Sequence, residues 1–128
     1  MSSYLNIYGI PREDQSKRIL IISFSRSQDI YSFFEDSFMN ADKEIELSLH
    51  KLDEVKAEIR ADLTRQEKRL ALYKECHKTM EEMEEIISIS EFIDTLKDTS
   101  NTVDFLTLLV SDAYYKFSGI EKYVFKIE

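Results

Sequence analysis

Arg26 stands between Ser25 and Ser27 in the stretch SFSRSQDIYSFF, residues 23–34, where an apolar run gives way to a helical pattern. A guanidinium flanked by two hydroxyls can close over a phosphate or a carboxylate, especially where a helix start offers free N–H groups. The same loop contains no glycine that would let the backbone wrap an anion, and no lysine at the spacing of a nucleotide-binding loop. The first expectation is therefore an ordinary hand-over from strand to helix, with Ser27 capping the helix. The second is an anion-binding turn made by Ser25, Arg26 and Ser27.

Carboxylates form the other chemical cluster. Glu81, Glu82, Glu84 and Glu85 lie on two strips of a helix, and Glu81 with Glu85 has the i, i+4 spacing that can contribute to a divalent-cation site. The Glu-x-x-His pattern of a di-iron bundle is missing, so no metal and no cofactor is expected, and Glu81, Glu84, Glu85 and Asp94 read as an acidic partner-facing surface. His50 and His77 are the two histidines. His77 adjoins the single cysteine, Cys76, but neighbouring helix positions diverge by about 100° and do not share a metal or make a thiol–imidazole pair. No catalytic residue is assigned, and the chain is expected not to be an enzyme.

The elements that carry these residues follow from the hydrophobic period. Residues 4–10 (YLNIYGI) alternate as a strand ended by Gly9 and Pro11, and residues 17–24 make a second strand. The run RILIISF contains four consecutive apolar residues, which predicts a strand covered on both faces and placed centrally. Beyond it Ile30, Phe33, Phe34 and Phe38 form a helical stripe.

Between Pro11 and Gly119 the chain has neither glycine nor proline, and Ile45, Leu49, Leu52, Val55, Ile59, Leu63, Leu70 and Tyr73 recur at helical steps. The stripe resumes as Met80, Met83, Ile87, Ile93 and Leu96, widened by Ile86 and Ile89. One unbroken helix over residues 45–96 would be about 78 Å long, more than a small domain can cover. Thr79 with Glu82 has the spacing of a capping box, so two antiparallel helices turning near residues 76–78 are expected instead. Thr64 with Glu67 shares that spacing but lies inside a continuing stripe, which makes it a lesser site for a break. KDTSN, residues 97–101, weakens the second helix, and Asn101 with Asp104 would start a third. After Gly119 the run YVFKI alternates as a closing strand.

The expected fold is thus α+β: a small three-stranded sheet built from both ends of the chain, packed against a long helical hairpin and shorter helices, in one domain over residues 1–128. The hairpin, about residues 43–98, is expected to protrude or to mediate self-association, because its apolar stripes exceed what so small a chain can bury.

Charge restricts function further. The chain has a formal charge of -8, but residues 1–78 hold 13 basic and 14 acidic side chains, whereas residues 79–112 hold nine acidic ones and only Lys97. This one-signed segment repels nucleic acid and favours a basic partner, so direct nucleic-acid binding is not expected. No apolar run approaches the roughly 18 residues of a membrane span. No secretory leader is apparent at the first residues, and a lone cysteine cannot form an internal disulfide.

Four stretches, SSYLNIYGIP, IISFSRSQDIYSFF, EEIISISEFIDTL and EKYVFKI, resemble those of small uncharacterised proteins encoded by bacteriophages and prophages. The resemblance runs over nearly the full chain and implies a phage or mobile-element origin, hence the host cytoplasm or a phage particle as location. It transfers no catalytic residue. The expected function is non-catalytic protein–protein interaction or assembly, by self-association through the hairpin or with a basic host or phage protein. Two alternatives are an acidic DNA mimic that inhibits a host nuclease or regulator, and an enzyme or small-ligand binder using the Arg26 turn.

Overall fold

The computed structural model describes residues 3–35, 44–75, 79–111 and 119–128. Strand β1 (Tyr4–Pro11) pairs antiparallel with β2 (Ile19–Ser25), as the alternation of its residues requires. A short helix α1 (Asp29–Glu35) follows, then a two-residue strand β3 (Ile45–Glu46), two long helices α2 (Leu49–Glu75) and α3 (Met80–Val110), and a closing strand β4 (Ile120–Ile127). The sheet order is β2-β1-β4-β3, all antiparallel. The α+β architecture and the pairing of strands from the two ends of the chain match the sequence reading.

Several elements depart from it. β2 is an edge strand, with Ile19, Leu20 and Ile21 exposed, rather than a central one. β4 takes the other side of β1, and among the described residues β2 is paired on one side only. Ile45 belongs to β3 and pairs with Phe125 instead of opening the first long helix. α2 begins at Leu49, where the Ser48 hydroxyl accepts a hydrogen bond from the Lys51 N–H at 3.1 Å. No break occurs at residues 64–67, where the helix is continuous.

The expected interruption at residues 97–101 is absent too, and α3 runs unbroken over 31 residues. Its polar stretch carries no glycine or proline. Thr95, Thr99 and Thr102 turn their hydroxyls back onto the carbonyls of Glu91, Thr95 and Asp98, so each is satisfied within the helix and offers the backbone no alternative. The expected start of α3 is correct: Thr79 has extended backbone geometry and accepts from the Glu82 N–H at 3.2 Å. The expected turn at residues 76–78, with Cys76 and His77, lies outside the described residues, as does Phe38.

One core joins the layers. Leu5, Ile7 and Phe125 on the inner sheet face meet Phe34 of α1, Leu52, Val55 and Ile59 of α2, and Leu96, Val103 and Leu106 of α3. The Phe34 and Phe125 rings meet edge to face with centroids 5.0 Å apart. After Ile59 α2 adds only the half-buried Leu63 to the core, so its last three turns lie beyond it alongside α3. The hairpin therefore has a base packed on the sheet and a distal half that stands beyond the core.

Candidate functional site

The turn between β2 and α1 uses up its own polar groups. The Ser25 and Ser27 hydroxyls bond each other at 2.8 Å. Gln28 closes the turn from both sides: its Oε1 accepts from the Ser25 N–H at 2.8 Å, and its own N–H donates to the Ser25 carbonyl at 3.0 Å. Ser27 does not cap α1, which begins two residues later at Asp29. Arg26 is exposed and does not line the adjoining cleft of about 280 Å³. That cleft is bounded by Ser27 and Gln28 on one side and by Asp98, Thr99 and Thr102 of α3 on the other, with Asp29 at its rim. Two carboxylates and no cation give it the wrong sign for an anion.

The acidic residues separate into two groups. Glu81, Glu84 and Glu85 are exposed and share a shallow cleft of about 540 Å³ with Tyr73 and Ser88, near the distal end of the hairpin. Arg69 of α2 reaches Glu85 at 3.3 Å and ties the two helices there. Asp94 is exposed as well, but nine residues beyond Glu85 it lies about 14 Å further along the axis. Among the described residues no group of three or more histidine, cysteine, aspartate or glutamate side chains could hold a metal ion. His50 sits at the surface at the start of α2, its Nε2 2.9 Å from Glu54.

A second polar cluster, not foreseen from sequence, lies on the sheet face turned away from the helices. The Tyr8 hydroxyl donates to Glu128, and Asn6 Nδ2 donates to the same carboxylate at 3.3 Å while Asn6 Oδ1 accepts from Ser23 at 2.5 Å. The Glu128 carboxyl is held below its ordinary range, first by the Tyr8 hydroxyl, and the Tyr8 phenol is raised in return. Nearby, Arg18 makes a two-pronged bond to Glu44, at 2.6 and 3.0 Å, which lowers the Glu44 carboxyl. Alternation in β1 marks Asn6 and Tyr8 as one face, but only the pairing with β4 brings Glu128 to them.

The feature that sequence reasoning placed wrongly is apolar. Met80, Met83 and Ile87 are 78%, 52% and 58% exposed, on one face of the first turns of α3. They were expected in the buried stripe. The rest of that stripe, Ile89, Ile93 and Leu96, is buried as expected and continues through Thr99, Val103 and Leu106. Both sets recur at steps of three and four, so the period alone could not decide which faces α2. Leu72 stands out from the distal part of α2 at 66% exposure, and Phe105 and Leu108 extend the outward face of α3 towards its C-terminal end.

Comparison with protein-family models, with curated proteins and with solved structures returns no match. Among the described residues no helix is long and apolar enough to cross a membrane.

Proposed function

We propose that the chain is a non-catalytic protein–protein interaction or assembly protein that self-associates through the distal half of its helical hairpin. The observation that carries this reading is the outward row Met80, Met83 and Ile87, with Leu72 on the neighbouring helix. Burying each such side chain is worth about 1.5–3 kcal/mol. A hairpin that projects beyond its core presents them without obstruction from the sheet. The phage or prophage origin, and a basic host or phage protein as a further partner, belong to the same proposal.

Light scattering coupled to size exclusion tests it. A dimer or larger species is expected at micromolar concentration, converted to monomer by the double substitution Met83→Glu and Ile87→Glu with unchanged circular dichroism. A wild-type chain that stays monomeric at high micromolar concentration would overturn the reading.

The DNA-mimic alternative draws support from the exposure of Glu81, Glu84, Glu85 and Asp94. Against it, Met80, Met83 and Ile87 interrupt the carboxylates, and Arg69 pairs with Glu85. Replacing the four acidic residues by glutamine abolishes binding and its salt dependence under mimicry, and leaves self-association intact under the reading preferred here. The Arg26 ligand-binding alternative is weakened by the acidic lining of the cleft beside it.

A further inference from the structure

We propose that the edge of β2 left unpaired among the described residues is a docking site for an extended segment of a partner polypeptide, one with an uncharged apolar centre and carboxylates near both ends, which adds to the sheet as a fifth strand. The argument begins with the hydrogen-bond alternation of an antiparallel ladder. Tyr4 exchanges both of its backbone bonds with Glu128, at 2.8 and 2.9 Å, so its N–H and C=O face β4. Leu5 and Ile7 therefore face β2, where they oppose Phe24 and Ile22. Ser23 and Ser25, between and beyond these, turn their backbone groups outward.

At Ser25 that outward pair is closed by Gln28, through both the side chain and the main chain. At Ser23 the outward N–H and C=O have no partner among the described residues. Ser23 is exposed, so water satisfies these groups in the free chain, and the occupant whose geometry can replace that water with a row of hydrogen bonds is another extended strand.

The side chains fit the same occupant. Ile19, Leu20 and Ile21 are 47%, 54% and 37% exposed, and β2 contains no charge and no proline of the sort that protects an open edge. The register shift opposite Ile7 and Tyr8 lengthens β2 by one residue there, yet it leaves Ser23 open.

Charge selects between a second copy and a foreign strand. Lys17 precedes β2 and Arg26 follows it, both exposed, and neither has a carboxylate within ion-pair distance among the described residues. Antiparallel pairing of two β2 strands about Ile22 would set Arg18 against Arg26, and sliding by one residue would set Lys17 against Arg26. Like charges oppose each other in those two registers; pairing about Ser23 avoids this by setting Arg26 against Leu20, but leaves Arg26 without the carboxylate that a foreign acidic-ended segment supplies. A foreign segment with acidic ends meets both cations favourably. This surface is independent of the hairpin face proposed for self-association.

The test uses the full chain and a blocked peptide of alternating valine and threonine with two glutamates at each end. Saturable binding is expected, with amide chemical-shift changes centred on Ile19–Ser23. N-methylation of alternate peptide nitrogens should abolish binding without altering the protein. Leu20→Lys should weaken binding at least about fivefold, and Lys17→Glu with Arg26→Glu should transfer preference to a lysine-ended peptide. The Met83→Glu and Ile87→Glu chain should bind the peptide as the wild type does, which separates this result from failure of the hairpin reading. Equal binding of the N-methylated peptide, no saturation at millimolar concentration, shifts centred on the hairpin, or pairing of β2 with a second copy would each overturn the proposal.

Discussion

Leu106 and Leu108 are two residues apart on the same helix, yet one is fully buried and the other 65% exposed, so truncating each measures which face of α3 is held by the core. Leu106 packs in the cluster with Leu5, Phe34 and Val103, where neighbours on three elements cannot all move into a vacated volume. Leu106→Ala should therefore cost about 2–5 kcal/mol, the lost transfer energy plus the residual cavity. Leu108→Ala should stay within about 0.5 kcal/mol, because an exposed leucine has little burial to lose. For a domain of this size each kcal/mol corresponds to roughly 3–6 °C, so the melting temperature of Leu106→Ala should fall by on the order of 10 °C. Urea denaturation followed by circular dichroism gives both free energies, and equal m-values would show that the unfolded reference is unchanged. Equal costs for the two leucines, or a cost above about 1 kcal/mol for Leu108→Ala, would refute the assignment of faces on which both the fold and the exposed row rest.

Three further outcomes are expected. Gly119 has φ of +69°, so Gly119→Ala should lose about 1–2 kcal/mol from backbone strain alone, measured by the same denaturation, although its added methyl would meet nothing within 4 Å. Tyr8→Phe removes the donor that chiefly lowers the Glu128 carboxyl, so an NMR titration should find the Glu128 midpoint moved upward towards its ordinary value. Glu44 is held low by Arg18, so its contribution to stability is complete above the unfolded carboxylate value of about 4.3 and is lost as pH falls through the lower folded value. Melting curves from pH 6 to 3 should accordingly fall less steeply for Arg18→Gln than for the wild type.

The periods of two and 3.6 made the order of strands and helices legible, and Thr79 marked the start of α3 because a hydroxyl before an acidic first turn has a local partner. What could not be read depended on residues far apart. RILIISF contains enough apolar side chains for a strand buried on both faces, but sheet position is set by competition, and β4 pairs with β1 across more than 100 residues. The two residues of β3 leave no period at all. Thr99 resembled a helix breaker in sequence, yet with no glycine or proline nearby its hydroxyl bonds the Thr95 carbonyl at 2.9 Å and the helix continues. The candidate sites follow the same division: the Ser25–Ser27 turn was visible as a junction, whereas its closure by Gln28 and the outward phase of Met80, Met83 and Ile87 emerged only from tertiary packing.

The adjacency of β1 and β4 also dictates an order of events during synthesis. On the ribosome, β1 and β2 emerge early, and β3 has β4 as its strand partner, so no more than a hairpin can assemble until Ile120–Ile127 leaves the exit tunnel. The partner of Tyr4 is the last of these segments to arrive, which gives the sheet a high contact order and makes its closure slow. α2 and α3, whose pairing is local, can zip together well before that moment. Topology thus favours a nascent chain in which the helical hairpin forms before the sheet is complete, and in that interval the edges of β1–β2 offer a chaperone more to bind than the closed sheet does.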